Sequence, residues 1–143
     1  MSFNVFSGGL IHAFKSGIGA ADLFPPWGRR SGWIAEALSD EVVWHEAENF
    51  PYADGNPYIG PGAVMQGVFA RLGAQWEEFA ALIDEFLDAG DKIVALGRYS
   101  GVFKETGKPI TAQIVHVWTL AGGKVVAFQQ YVDTLQVARA MEE

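Results

Sequence analysis

A chain of 143 residues, half of them hydrophobic, is long enough for one domain with a sizeable core, and a single domain spanning 1–143 is expected. Its formal net charge of -7, with no stripe of Lys or Arg to offset the acids, excludes a nonspecific nucleic-acid binder. The absence of cysteine excludes disulfides, a thiolate nucleophile and a Cys-ligated metal, and it fits a reducing, cytoplasmic setting.

Near the start, Phe3, Phe6, Leu10 and Phe14 recur at helical spacing, so a helix is expected over 3–18, weakened by Gly8, Gly9 and Gly17. The apolar patch from Phe3 to Leu10 has no basic leader and is broken by glycines, so neither a signal peptide nor a membrane span is expected. LFPPWGRRSG at 23–32 then reads as a Pro/Gly-rich loop whose Arg29 and Arg30 suit either a solvated turn or an anion. A short helix follows over Trp33 to Leu38.

Asp40 to Glu46 reads as a strand with Val43 and His45 on one face and Val42, Trp44 and Glu46 on the other. The segment after it, AENFPYADGNPYIGPGAV, is crowded with Asn, Pro, Gly and Tyr and is expected to be an irregular loop at a pocket mouth. Pro61 suits the first turn of a helix through Gln66, Phe69 and Leu72, continuing or kinking towards Trp76 and Phe79. Ala80 to Asp88 fits helix and strand alike, and Asp88 to Asp91 is a tight turn.

From Lys92 to Asp133 the chain reads as a β-meander of three strands, rich in β-branched and aromatic residues and separated by turns at Thr106-Gly107 and Gly122-Gly123. Period two sets Ile114, His116, Trp118 and Leu120 on one face of the middle strand and Val115 and Val117 on the other. Two largely apolar faces imply that helices cover one and a partner the other, which predicts a homodimer. The closing stretch DTLQVARAMEE reads as a helix with Asp133 as N-cap and Gln136 at capping-box spacing. Helices, strand, loop, helix, a run of antiparallel strands and a last helix make an α+β pattern, with helices against one curved sheet.

The strings VVWHEAENFPYADGNPYIGP, DKIVALGRYSG and HVWTLAGGKVVAFQQYVDT carry a resemblance to the SnoaL-like polyketide cyclase family of the nuclear transport factor 2-like superfamily. It covers Asp40 to Thr134, about two thirds of the chain. The resemblance implies a cone, a strongly curved antiparallel sheet wrapped around N-terminal helices with a pocket inside, and a homodimer formed through the convex face. It also implies acid-base catalysis by a histidine on one strand and an aspartate on the next. His116 matches the histidine, but Gln130 stands at the aspartate position, and an amide cannot take a proton at neutral pH.

His116 is therefore the first catalytic candidate, against a buried histidine that merely satisfies a neighbour. Glu46 is the candidate substitute carboxylate, because a desolvated acid has its pKa raised; an exposed place at the strand end is the competing reading. Trp44, Trp76 and Trp118 are expected to be buried, with Trp118 bordering a cavity, and Arg98 or Tyr99 to point inward on a ligand. Gln130 would share the interior with His116. The three histidines, at 12, 45 and 116, are too scattered for a metal site, and neither metal nor cofactor is expected. The expected partner is a small hydrophobic molecule, with no nucleic acid and no membrane. The expected activity is that of a cofactor-free isomerase, cyclase, dehydratase or hydrolase. A noncatalytic small-ligand binding protein and a dimeric interaction module are the alternatives.

Overall fold

The computed structural model describes residues 31–143, with side chains from residue 34 onward. The expected helix over 3–18, residues 23–30 of the loop expected over 23–32, and His12 lie outside the described residues; the last two residues of that loop, 31 and 32, are helical instead. Helix α1 (Ser31–Ala37) runs directly into strand β1 (Leu38–His45), and a two-residue strand β2 (Tyr58–Ile59) returns along its edge. The helical segment α2 follows: Pro61–Val64 is α-helical, Met65–Phe69 π-helical and Ala70–Gln75 α-helical again. Strands β3 (Trp76–Asp88), β4 (Lys92–Phe103), β5 (Pro109–Ala121) and β6 (Lys124–Val132) then form the meander, and helix α3 (Thr134–Met141) ends the chain.

The six strands make one curved, unclosed sheet in the order β2-β1-β6-β5-β4-β3. All neighbours are antiparallel except β1 and β6, which run parallel, so the expected antiparallel sheet is mixed at this one seam. The burial alternation along β5 follows the expected phase: Ile114, His116, Trp118 and Leu120 are buried, while Val115 and Val117 are half-buried on the outer face.

Two readings of the middle of the chain are corrected. The loop after β1 is not wholly irregular, because Tyr58–Ile59 pairs with Val43 and Trp44. Helix α2 does not continue to Phe79; it stops at Gln75, and Trp76 begins a strand of 13 residues that also absorbs the ambiguous stretch Ala80 to Asp88. Tertiary pairing along the whole of β4 overrides the local helical spacing of Leu82, Ile83, Phe86 and Leu87.

The bend of the sheet has local causes. Register slips between Glu77 and Ala80 and between Ile83 and Glu85 mark bulges in β3, the first with Glu78 at φ 51°. At the C-terminus Asp133 caps α3 by accepting from Gln136 N–H at 3.3 Å. The Gln136 side chain does not close a capping box; it donates instead to Thr111 O on β5 at 3.3 Å, which ties α3 to the sheet.

Candidate functional site

Strand β1 delivers Trp44 to the concave face by period two, and Glu46, the residue after the strand ends, follows it inward. Two backbone bonds hold that turn: Glu46 N–H donates to Asn56 Oδ1 at 2.9 Å, and Asn56 Nδ2 donates to Glu46 O at 2.8 Å. The carboxyl group is 2 % exposed. Trp44 Nε1 donates to Oε2 at 3.2 Å, while Oε1 has no hydrogen-bond partner. Burial is the largest effect on this group and pushes its pKa up to about 8, with the Trp44 bond pulling weakly the other way. At neutral pH Glu46 is therefore a carboxylic acid. An indole N–H only donates, so Oε2 accepts from Trp44.

On the neighbouring strands, Gln130 of β6 stands opposite His116 of β5. Ala47 N–H donates to Gln130 Oε1 at 3.0 Å, which fixes the amide: its Nε2 must donate, and it does so to Tyr99 Oη at 2.7 Å. Tyr99 Oη in turn lies 2.6 Å from His116 Nε2. Tyr99 Oη thus joins the Gln130 amide to the His116 imidazole through two hydrogen bonds. Burial holds its pKa down at about 3 and raises that of Tyr99 well above the ordinary tyrosine value. The three side chains form a hydrogen-bonded chain of amide, phenol and imidazole, all buried.

Trp44, Glu46, Phe79, Tyr99, His116, Phe128 and Gln130 meet Val68, Phe69 and Leu72 of α2 around a cavity inside the sheet. Its free space is about 20 Å3, measured as the volume that the centre of a water can occupy. That exceeds the roughly 10 to 15 Å3 that one water requires, so the cavity is small, and a larger ligand needs its lining side chains to move apart. Glu46 and Gln130 also line an outer cleft with His45, Glu48, Asn56 and Tyr131, so these two side chains form the partition between the cavity and the surface.

Residues 29–128 match the SnoaL-like domain. The chain belongs to the SnoaL-like domain family. Its SnoaL-like fold is shared with a nuclear transport factor 2-like protein of Burkholderia thailandensis, 29 % identical over 100 % of this chain and 99 % of that one, at a TM-score of 0.77. A nuclear transport factor 2-like protein of unknown function from Burkholderia pseudomallei is 24 % identical, covering 100 % of this chain and 99 % of that one, at a TM-score of 0.73. A putative SnoaL-like polyketide cyclase from a Jannaschia species, 18 % identical over 95 % of this chain and 90 % of that one, has the same fold at a TM-score of 0.69. No curated protein sequence matches the chain. Among the described residues, no helix is long and apolar enough to cross a membrane.

Several sequence-level candidates lie elsewhere in the SnoaL-like cone. Arg98 points away from the cavity: it is exposed on the outer face and donates to Thr111 O at 3.0 Å. Tyr99, its neighbour in sequence, takes the inward place by strand alternation. Trp76 is 2 % exposed but lies outside the cavity, donating to Tyr52 Oη at 3.0 Å. Trp118 is buried, as expected, but does not border the cavity; it packs one layer behind, edge-on to Trp44 at 5.8 Å and Phe128 at 4.6 Å between ring centroids. Glu46 is not at an exposed strand end, because the Asn56 clamp turns the chain inward there.

Sequence reasoning passed over Phe128, which period two from Gln130 puts on the inner face, and Phe79, which no periodicity reveals because it follows the bulge at Glu78. Asn56 was also missed. It sits ten residues from the backbone it holds, and only the closed loop brings the two together.

Proposed function

We propose that this cone carries out proton transfer on a small, mostly apolar molecule, as a cofactor-free isomerase does, with Glu46 giving and taking the proton. The observation that carries the reading is the Glu46 carboxyl group, buried beside apolar and aromatic side chains with Oε1 unpaired. A carboxyl group whose pKa is pushed up to about 8 is poised to work near neutral pH in both directions. The chain of Gln130, Tyr99 and His116 supplies the polar end of the site. A ligand oxygen entering there competes with His116 Nε2 for the tyrosine proton and gains a donor that desolvation has strengthened. His116, held neutral and bonded through Nε2, acts as a positioning residue for Tyr99 rather than as the base. Cyclisation, dehydration and hydrolysis are the related reactions; the small free space favours a one-molecule proton shift.

The test is hydrogen exchange at carbon. Small carbonyl compounds, acetone and 2-cyclopentenone among them, are incubated with the protein in heavy water and followed by NMR. Exchange at the carbon beside the carbonyl should exceed the buffer rate, and Glu46→Gln should lower it by about 10²-fold or more. Tyr99→Phe should lower it by a similar factor, on the scale of losing one oxyanion donor. Ligand binding without any catalysed exchange would replace this reading with the noncatalytic binding protein.

We further propose that the outer face of the sheet pairs two copies of the chain. Leu96, Val115 and Val117 are half-buried on that face, and Tyr131 is 55 % exposed beside them. Sedimentation equilibrium at micromolar concentration should give twice the chain mass of 15.6 kDa. A monomer throughout that range would reject the pairing.

A further inference from the structure

We propose that the cavity is a cage for a small alkylated ammonium ion, walled by the side chains of Trp44, Phe69, Phe79, Tyr99 and Phe128 and neutralised by the carboxylate of Glu46. This goes beyond the proton-transfer reading while using the same carboxyl group, and it can hold where that reading fails. Five aromatic side chains line this small space. Aromatic rings attract cations through their quadrupoles, and several rings around one site are the arrangement that suits alkylated ammonium, whose surface is too apolar for a hydrogen-bonding pocket. A cation in an apolar space also needs a counter-ion. Glu46 supplies it: the group is 2 % exposed, lines the cavity, and its Oε1 has no partner. No Lys or Arg is among the described lining residues to compete for that oxygen.

The charge does not have to cross the apolar wall. A neutral trialkylamine enters, the carboxyl O–H bond of Glu46 breaks, an N–H bond forms on the amine, and the ion pair is made in place with no further reactant. The aromatic faces and the adjacent carboxylate stabilise the ammonium but not the neutral amine, so the proton moves to nitrogen. The other titratable groups facing Glu46 are Tyr99 and Tyr52, both kept neutral by burial, and His116, kept neutral likewise. On the far side His45 and Glu48 line the outer cleft with it.

The experiment is calorimetric titration of the full chain with trimethylamine from pH 6 to 9, beside tert-butanol as a neutral ligand of similar shape. A ligand of four heavy atoms should bind with a Kd of about 0.1 mM or weaker. Binding should tighten by about tenfold per pH unit up to pH 8 and release close to one proton at pH 7, since the ammonium in solution displaces the proton of Glu46. Glu46→Gln should weaken it by tenfold or more while the near-ultraviolet circular dichroism stays native. Phe69→Leu, which keeps the apolar volume but removes one ring, should weaken it several-fold, and His45→Gln should leave the pH dependence in place. Tert-butanol binding as tightly as the amine, or amine binding that is indifferent to pH or to Glu46→Gln, would overturn the ammonium cage and leave an apolar ligand site. Binding of neither would overturn the cage and remove the support for any ligand of this size.

Discussion

Stability should be greatest on a plateau between about pH 4.5 and 6.5 and fall by about 2 kcal/mol on each side, by pH 3 and by pH 8, from the titration of Glu46 and His116 alone. The sign follows from the proton count. Between 4.5, the ordinary value for Glu46, and its folded value of about 8, the folded chain holds a proton that the unfolded chain has lost, so stability falls as pH rises. Between about 3 and 6.5, the folded and ordinary values for His116, the unfolded chain holds a proton that the folded chain refuses, so stability rises with pH. The two slopes, each about 1.4 kcal/mol per pH unit, cancel where the ranges overlap and act singly outside. Chemical denaturation from pH 3 to 9 measures the profile. Glu46→Gln should abolish the alkaline limb and with it the whole Glu46 cost, about 3.5 pH units at about 1.4 kcal/mol each, so that the variant is more stable than the parent at pH 8.5 by roughly 5 kcal/mol, or about 15 °C in Tm. The same substitution should remove activity, which sets function against stability at one carboxyl group. Stability that climbed from pH 6.5 to 8.5 would mean that Glu46 is ionised in the folded chain, and would reject its role as an acid.

Gly97→Val should prevent the chain from folding, and even Gly97→Ala should cost about 3 kcal/mol, near the upper end of overpacking effects. A Cβ at this position would sit 2.0 Å from Leu82 O and 2.8 Å from Ile83 Cα. Both are backbone atoms of β3 at the bulge between Ile83 and Glu85, so no side-chain rotation can make room. Relief requires β3 to lift off β4, and β4 is the strand that carries Tyr99 two residues on. The contrast is Gly62 in the first turn of α2, where an added Cβ meets nothing within 4 Å. Gly62→Ala should be neutral or stabilising by up to about 1 kcal/mol, because alanine lowers the entropy cost of the helix. Thermal melts of the three variants beside the parent check both positions. A native melting temperature for Gly97→Ala would show that β3 and β4 are less tightly apposed than these distances require.

The sequence by itself determined the meander and the phase of its strands. Strict alternation over 13 residues in β5 divides its side chains between two faces, and His116 shares its face with Ile114, Trp118 and Leu120 whatever surrounds it. The same period placed Trp44 and Glu46 on one face, whereas Gln130 beside His116 followed from the family resemblance and is the pairing that β5 and β6 make. Asp133 as a helix cap was equally legible, since the cap and its acceptor bond are local. Only the tertiary structure decided what those inward groups are. Whether Glu46 is a surface anion or a buried acid depends on Asn56 closing a loop over ten residues, an interaction with no periodic trace. His116 reads as a base until Tyr99, 17 residues earlier, is brought to its Nε2 and Gln130 to the tyrosine; desolvation by the packed cone then sets its charge. The choice of Tyr99 over Arg98 for the interior, and the arrival of Phe79 at the cavity, depended on the register and bulges of β3 against β4. Local periodicity specifies which side of a strand is buried. Burial depth, hydrogen-bond partners and hence protonation are properties of the assembled sheet, because they depend on atoms that are distant along the chain.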